Sequence, residues 1–273
     1  MTDQPDTLAR IAAALERLAP PPPPSADPMT HPAYVWRDGA LAAARAFAPL
    51  PLDLLAGIDA QKAALVETVR RLARGHAAHD VLLWGARGTG KSALVKSAVG
   101  GAQGEGLDVA LVELAADALP SLPALFARLA ELPRAYVLFI DDLGFDGLGD
   151  GPRLLRSLLE GGAEARPANT RLFVTANRRH IIPRDIAEQD SAINPRDVVD
   201  DKLALADRFG LSLGFHVVDQ DHYVAMIEGY TRRHGLPFDA QDAIAWATTR
   251  GSRSGRVAWQ YVVELAGRHG RSL

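Results

Sequence analysis

The sequence has 273 residues, of which 48% are hydrophobic and 23% are charged, and its formal net charge is −3. This near-average composition indicates a globular protein with one large domain or two small ones, and the charge argues against an obligate nucleic-acid coat or a polybasic membrane binder. Because the sequence has no cysteine and no apolar run of membrane-spanning length, we exclude disulfides and thiolate metal sites and expect a cytoplasmic protein with no membrane partner.

The N-terminal segment predicts a short helix followed by a linker. Residues 1–18 carry apolar side chains at helical spacing, namely Leu8, Ile11, Leu15 and Leu18. Five consecutive prolines at residues 20–24 cannot be helical, so residues 19–53 are interpreted as a Pro-rich linker and lead-in. Because a helix this short is marginal alone, it is either a loosely attached terminal helix or an arm that binds a partner or another copy of the chain.

Residues 54–218 alternate between helical and strand-like patterns. Five apolar runs are typical of strands: DVLLWG, LDVALVEL, AYVLFIDDL, TRLFVTAN and LSLGFHVV. Strands that alternate with helices predict an α/β fold with a parallel five-stranded sheet flanked by helices. Residues 219–273 contain three helical segments, which predict a small helical lid with Trp246, Trp259 and Tyr261 in its core.

A Gly-rich turn after the first predicted strand matches the pattern G-x-x-x-x-G-K-[ST]. Its glycines allow backbone N–H groups to surround phosphate oxygens, and the following helix adds partial positive charge. Lys91 is expected to contact the β- and γ-phosphates of ATP, and Ser92 to bind Mg²⁺. A dinucleotide site is a poorer interpretation because the G-x-G-x-x-G order is absent. The predicted nucleotide-binding residues of this turn are Gly85, Ala86, Arg87, Gly88, Thr89, Gly90, Lys91, Ser92 and Ala93.

Polar side chains end the third and fourth predicted strands. Asp141 and Asp142 follow the third strand, where a carboxylate can face the Gly-rich turn across the carboxyl edge of the sheet. We predict that Asp141 binds Mg²⁺ and that Asp142 polarises the attacking water; the alternative is a solvated acidic loop. The fourth strand ends in Thr175 and Asn177, and the Asn177 amide is a candidate for orienting that water near the γ-phosphate.

Three arginines lie next to the remaining elements. Arg208 precedes the fifth predicted strand, and Arg253 and Arg256 lie at the start of the last helix. A guanidinium group is planar, always charged and bidentate, so each of the three is a candidate for stabilising negative charge on a transferred phosphoryl group. The alternative for each arginine is a surface salt bridge.

Together these motifs resemble those of the AAA+ ATPases. Their amino-acid sequences are most similar to a bacterial AAA+ family catalogued as domain of unknown function 815. The resemblance covers residues 54–267 and is carried by LLWGARGTGKSALVK, IDDLGFD, LLEGGAEARPANTRLFVTANRRHII, DKLALADRFGLSLGF and SGRVAWQYV. It implies that Gly57 and Ile58 line an adenine pocket. It further implies that Asn177 is the first sensor, Arg208 an arginine finger that reaches a neighbouring subunit, and Arg256 the second sensor.

An arginine finger acting in trans implies a homo-oligomer with ATP and Mg²⁺ at its interfaces. Most AAA+ proteins have Asp-Glu where this chain has Asp141 and Asp142. The shorter second carboxylate predicts slow hydrolysis, or a nucleotide switch without turnover.

Three functions remain open at this point. The protein is an ATPase that remodels or loads a protein partner or complex, a nucleic-acid-associated ATPase similar to helicase loaders, or a nucleotide-gated scaffold with little turnover. Residues 221–273 carry seven Lys or Arg against five Asp or Glu, too small an excess for a strong nucleic-acid footprint. Residues 184–207 carry seven acidic against three basic residues, which favours a basic protein partner if the segment lines an interface.

Overall fold

The computed structural model describes residues 4–18, 25–143, 151–160, 166–177 and 207–273. The described strands are β1 (Ala33–Arg37), β2 (Ala40–Ala43), β3 (Val81–Gly85), β4 (Val109–Leu114), β5 (Ala135–Ile140), β6 (Thr170–Asn177) and β7 (Leu211–Phe215). The described helices are α1 (Gln4–Leu18), α2 (Asp59–Ala73), α3 (Lys91–Gly104), α4 (Leu122–Leu129), α5 (Gly151–Glu160), α6 (Gln220–His234), α7 (Ala240–Thr249) and α8 (Gly255–Arg268). Short 3₁₀ helices span Leu52–Leu54 and Ala116–Ser121.

One sheet contains the seven described strands in the order β2-β1-β4-β5-β6-β3-β7. Strand β2 pairs antiparallel with β1, and the other neighbouring strands pair in parallel. Strand β5 is buried at every position, as expected for a continuous apolar run in a parallel sheet covered on both faces. The α/β fold class predicted from the sequence is confirmed, and the five predicted strands are present as β3 to β7.

The number of strands differs from the prediction, because the segment interpreted as a lead-in forms two more. Strand β1 pairs in parallel with β4, and β2 turns back against β1. The turn between them is Asp38-Gly39, with φ values of 52° and 72°, which suit a two-residue hairpin whose twist matches the strands. Asp-Gly between apolar residues is a sequence signal for such a hairpin.

Two hydrophobic clusters cover the two faces of the sheet. Alternate residues of β5 belong to different clusters, because successive side chains of a strand point to opposite faces. Phe139 packs with α2 and α3 on one face, and Tyr136 packs with α4 on the other. The predicted phosphate-binding helix, α3, is therefore held directly against the sheet.

Helices α6, α7 and α8 lie in the segment predicted to be a lid, and are called the lid below; they pack around a third hydrophobic cluster that contains Tyr223 and Tyr261. Each helix begins at a residue whose side chain accepts a backbone hydrogen bond from the first turn, namely Asp219, Asp239 and Ser254. Such caps satisfy amide groups that have no partner inside the helix. The capping residues explain why the sequence breaks into three helices at these positions.

The predicted N-terminal helix is present as α1, with the apolar side chains of Leu8 and Ile11 mostly exposed. Among the parts of the chain that the structure describes, no helix is long and apolar enough to cross a membrane.

The strand order brings the predicted functional segments together. Strand β6 lies between β5 and β3, and the three are parallel. The Gly-rich turn follows β3, the paired aspartates follow β5, and Asn177 ends β6. Because carboxyl ends of parallel strands meet at one edge of the sheet, these residues lie side by side.

Candidate nucleotide-binding site

The Gly-rich turn after β3 adopts a conformation that requires glycine at two positions in particular. Gly85 has φ 135°, and a Cβ atom there would lie 2.0 Å from the backbone oxygen of Phe215 in β7. Gly90 has φ 94° in the left-handed region and directly precedes α3. Any other residue would be strained at these positions. The turn therefore delivers the N-terminus of a 14-residue helix to the edge of the sheet.

Lys91 is the first residue of α3 and is buried, with 8% of its surface exposed. Its ammonium group donates hydrogen bonds to the carbonyl oxygens of Gly85 at 2.9 Å and Ala86 at 2.8 Å. Burial lowers the pKa of Lys91, while the nearby carboxylates of Asp142 and Asp141 act in the opposite direction. The Lys91 ammonium group is thus held inside the turn. An anionic ligand could bind it by taking the place of the two carbonyl oxygens as hydrogen-bond acceptor.

Ser92 and Asp141, the two predicted metal ligands, are in contact. The Ser92 hydroxyl donates to Oδ1 of Asp141 at 2.6 Å, and the same oxygen accepts a hydrogen bond of 2.6 Å from Thr175. Mg²⁺ prefers oxygen ligands and is usually bound through one or two carboxylates plus phosphate oxygens and water. A hydroxyl beside a carboxylate fits that ion. In the described ranges, no group of three or more His, Cys, Asp or Glu side chains is placed so that it could hold a metal ion.

Asp142 is held by both the sheet and the Gly-rich turn. The amide of Asn177 donates to Oδ1 of Asp142, and the Arg87 guanidinium lies 3.6 Å from Oδ2. Asn177 is buried, whereas more than half of the Asp142 side chain is exposed. The second carboxylate of the pair therefore faces open space beside the turn, with its orientation set by Asn177.

A cavity of about 640 Å³ contains these groups, a volume in the range of cofactor sites. The Gly-rich turn, the paired aspartates and Asn177 line one part of it. Ile58 and Arg256, two residues expected from the family resemblance, also line it. Gly57 lies outside the described lining residues and packs instead on His222, whose Cδ2 would be 2.5 Å from a Cβ at this position.

The family model described as "Protein of unknown function (DUF815)" matches residues 29–269, which is most of the chain. The chain belongs to the DUF815 family. No curated protein matches its sequence.

The fold of this DUF815 protein is similar to that of one solved structure in particular. The Aeropyrum pernix Orc1 protein in complex with DNA is 20% identical, with a TM-score of 0.53, over 80% of this chain and 62% of the Orc1 chain. A mutant of Thermotoga maritima RuvB is also 20% identical, with a TM-score of 0.49, over 77% of this chain and 62% of RuvB. The DUF815 chain thus spans about three fifths of these proteins, and its fold is that of the AAA+ P-loop ATPases.

The DUF815 lid contributes cavity residues that the sequence did not reveal. Met226, Tyr230 and Trp259 line the cavity next to Arg256. Trp259 was expected in the lid core, yet 37% of its surface is exposed, and its ring meets that of Tyr230 edge to face at 5.1 Å. The available signal was its spacing, because a residue three positions after Arg256 lies on the same face of a helix.

The lid also contacts the Gly-rich turn directly. The amide of Gly255, the first residue of α8, donates a hydrogen bond of 2.8 Å to the carbonyl oxygen of Gly88. This contact joins the start of α8 to the Gly-rich turn.

Two of the predicted arginines are outside the described residues that line the cavity. Arg208 is half-buried, precedes β7 and is outside the described lining residues. Arg253 is exposed and lies 3.5 Å from the Gln220 side chain. The acidic segment of residues 184–207 lies outside the described residues, apart from its last position.

Proposed function

We propose that this DUF815 protein binds ATP with Mg²⁺ and hydrolyses it slowly to ADP and phosphate. The supporting observation is the convergence of Lys91, Ser92, Asp141, Asp142 and Asn177 on one cavity at the carboxyl edge of the sheet. A phosphate-binding turn, a pair of metal-binding oxygens and a second carboxylate are the groups that nucleotide hydrolysis requires.

Each residue has a distinct part in the proposed reaction. The amides of the turn and the Lys91 ammonium bind the β- and γ-phosphates, while Ile58, Tyr230 and Trp259 offer apolar and aromatic surface to the base. Ser92 and Asp141 would hold the Mg²⁺ ion, which would supply positive charge beside the phosphates when bound.

Three further residues act at the γ-phosphate. Asp142 accepts a proton from the attacking water, and Asn177 keeps the Asp142 carboxylate oriented. Arg256, at the start of α8, reaches the phosphates from the lid. Charge developing on the transferred group is thus met from two sides of the cavity.

Arg208 is proposed to act on the site of a neighbouring subunit in a homo-oligomer. It precedes β7, whereas the Gly-rich turn follows β3, and these strands are parallel neighbours. Arg208 therefore lies at the amino-terminal ends of the strands, whereas the proposed phosphate site lies at their carboxyl ends. The length of a five-residue strand separates the two by roughly 16 Å. A guanidinium at the amino-terminal ends can serve hydrolysis only across an interface between copies.

We further propose that the oligomer uses ATP to remodel or load a macromolecular partner in the cytoplasm. A protein partner is favoured over nucleic acid, since residues 221–273 carry only a small excess of positive charge. The Orc1 structure contains DNA, which makes a nucleic-acid-associated role the second candidate. A scaffold that binds ATP with little turnover is the third.

Nucleotide binding is expected to change the fluorescence of Trp259. Because this ring lines the cavity and is partly exposed, ATP should alter its solvation and produce a saturable signal. The Trp259→Phe variant keeps the other three tryptophans and should lose most of the signal. It should still bind labelled ATP within about fivefold of the wild-type affinity, since phenylalanine keeps an aromatic face. A wild-type protein that retains neither ATP nor ADP with Mg²⁺ in equilibrium dialysis would overturn the proposed function.

Mixing two inactive variants tests the arginine finger. Arg208→Ala alone is expected to lower turnover by about 10³-fold or more. Mixed with Asp142→Asn, it should recover activity, because a site from the first variant can receive Arg208 from the second. About a quarter of the interfaces are complete in a random equal mixture with heterologous contacts.

The matched control for this experiment combines Asp142→Asn with Lys91→Ala. Both defects lie in the half of the interface that holds ATP, so no mixed interface is complete and no recovery is expected. Full activity of Arg208→Ala alone, or no recovery in the first mixture, would exclude the trans arrangement.

A further inference from the structure

Thr175 is a polar residue at the carboxyl end of β6 and is 1% exposed. Its hydroxyl donates a hydrogen bond of 2.6 Å to Oδ1 of Asp141 and accepts one of 2.8 Å from the backbone amide of Asp142. The Thr175 hydroxyl thus donates to one acidic residue and accepts from the next, using its single donor and one of its two acceptor positions. Its neighbours along β6, Val174 and Ala176, are buried and apolar.

The same residue also holds the backbone that follows the aspartates. The carbonyl oxygen of Thr175 accepts a hydrogen bond of 2.9 Å from the amide of Leu143. Asp142 has φ 53°, in the left-handed region that residues other than glycine rarely adopt. The bonds from Asp142 and Leu143 to Thr175 secure this conformation on both sides of the strained residue.

The side chain of Thr175 is suited to fixing these groups accurately. A β-branched residue has few χ1 rotamers, so its hydroxyl has a defined position once the strand is packed. Asn177, two residues further along β6, lies on the same face and holds the carboxylate of Asp142. One face of β6 thus orients the side chain of Asp141, the backbone of Asp142 and the side chain of Asp142.

We propose that Thr175 is a positioning residue for ATP hydrolysis, which orients Asp141 for Mg²⁺ and Asp142 for the attacking water. The proposal rests on the proposed ATPase function and adds a residue that is outside the nucleotide-binding motif, the paired aspartates and the sensor asparagine. Thr175 acts through the two aspartates, so its loss affects metal dependence and turnover more than nucleotide affinity.

The test compares Thr175→Val, which removes the hydroxyl but keeps the shape, with Thr175→Ser, which keeps the hydroxyl. Thr175→Val should lower kcat about tenfold or more, as small misplacements of catalytic groups do, and leave KM for ATP within about threefold. Mg²⁺ is expected to increase the affinity for ATP, and Thr175→Val should raise the Mg²⁺ concentration that gives half of this increase. Equilibrium dialysis measures this concentration independently of turnover. Thr175→Ser should recover most of kcat.

Thr170→Val is the matched control. Thr170 is buried at the other end of the same strand, and its hydroxyl donates to the carbonyl oxygen of Pro167 at 3.2 Å. The Thr170→Val variant loses an equivalent buried hydroxyl far from the aspartates, so its kcat and Mg²⁺ dependence should stay within about twofold of wild type. Its loss of stability in urea unfolding should be comparable to that of Thr175→Val.

Three outcomes are decisive. Unchanged kcat and Mg²⁺ dependence in Thr175→Val would overturn the positioning role while leaving the ATPase intact. Equal losses in Thr170→Val would also overturn it, since the effect would then be general destabilisation. A wild-type protein that binds no nucleotide would reject the proposed function itself, and the role of Thr175 with it.

Discussion

Replacing Lys91 with alanine is expected to lower the affinity for ATP about 30- to 150-fold and to bring hydrolysis below detection. Lys91 supplies charge-assisted hydrogen bonds to the phosphates, and such bonds contribute about 2–3 kcal/mol. In the free protein the same ammonium group is bonded to Gly85 and Ala86. The measurement is equilibrium binding of labelled ATP with Mg²⁺, followed by phosphate release at saturating ATP.

The stability of the Lys91→Ala variant should change little. The substitution removes two hydrogen bonds but also removes the cost of burying a cation, which is visible as the lowered pKa of Lys91. We expect the free energy of unfolding to shift by about 1 kcal/mol or less. A loss of binding in a stable variant then reports on the contact with phosphate rather than on folding.

Lys96→Ala is the matched control for this experiment. Lys96 lies five residues further along α3, pairs with Glu113 at 2.9 Å and is outside the cavity lining. Because this pair is partly exposed, its loss should cost little stability, and ATP affinity should stay within about twofold of wild type. If Lys91→Ala also binds ATP normally, the assignment of the Gly-rich turn as a phosphate site is wrong.

Replacing Asp142 with asparagine is expected to reduce hydrolysis about 10²- to 10⁴-fold while ATP affinity stays within about threefold. Removing a proton acceptor from the attacking water costs a factor of this size. Asparagine has nearly the same shape, and its side-chain oxygen can still accept the hydrogen bond from Asn177. Loss of the contact with Arg87 should matter little, because both side chains are mostly exposed.

Asp53→Asn provides a control that changes charge without touching the proposed chemistry. Asp53 is exposed in the 3₁₀ helix Leu52–Leu54, and its neighbour Leu54 lines the cavity. Its variant should hydrolyse ATP at the wild-type rate. Unchanged turnover in Asp142→Asn would falsify the assignment of Asp142 as the proton acceptor. An equal loss of ATP affinity would assign Asp142 to binding instead.

Much of the candidate site could be predicted because its signals are local. The Gly-rich turn is defined by neighbouring residues, and the strand and helix on either side confirm its context. Asp141 and Asn177 could be placed near it because parallel strands end at one edge. Their contacts with Ser92 and Asp142 follow from that order.

Other features were missed because they depend on distant packing. The pattern of residues 33–43 is compatible with an isolated hairpin, and its pairing with β4 follows only from the free edge of the sheet. Trp259 has a large aromatic side chain of the kind that is usually found in a helical core. Its exposure to the cavity depends on how α8 packs against the Gly-rich turn. The role of Thr175 depends on the path of the chain after β5.

By itself, the sequence determined the α/β class, the Gly-rich turn, the paired carboxylates and the three C-terminal helices, because each depends on side-chain periodicity and backbone preferences over a few residues. The tertiary structure alone decided the seven-stranded sheet, the contact between the rings of Tyr230 and Trp259 and the hydroxyl that holds both aspartates. The physical reason is that these contacts join residues far apart in the chain, and burial and hydrogen-bond geometry select them only when the whole core is packed.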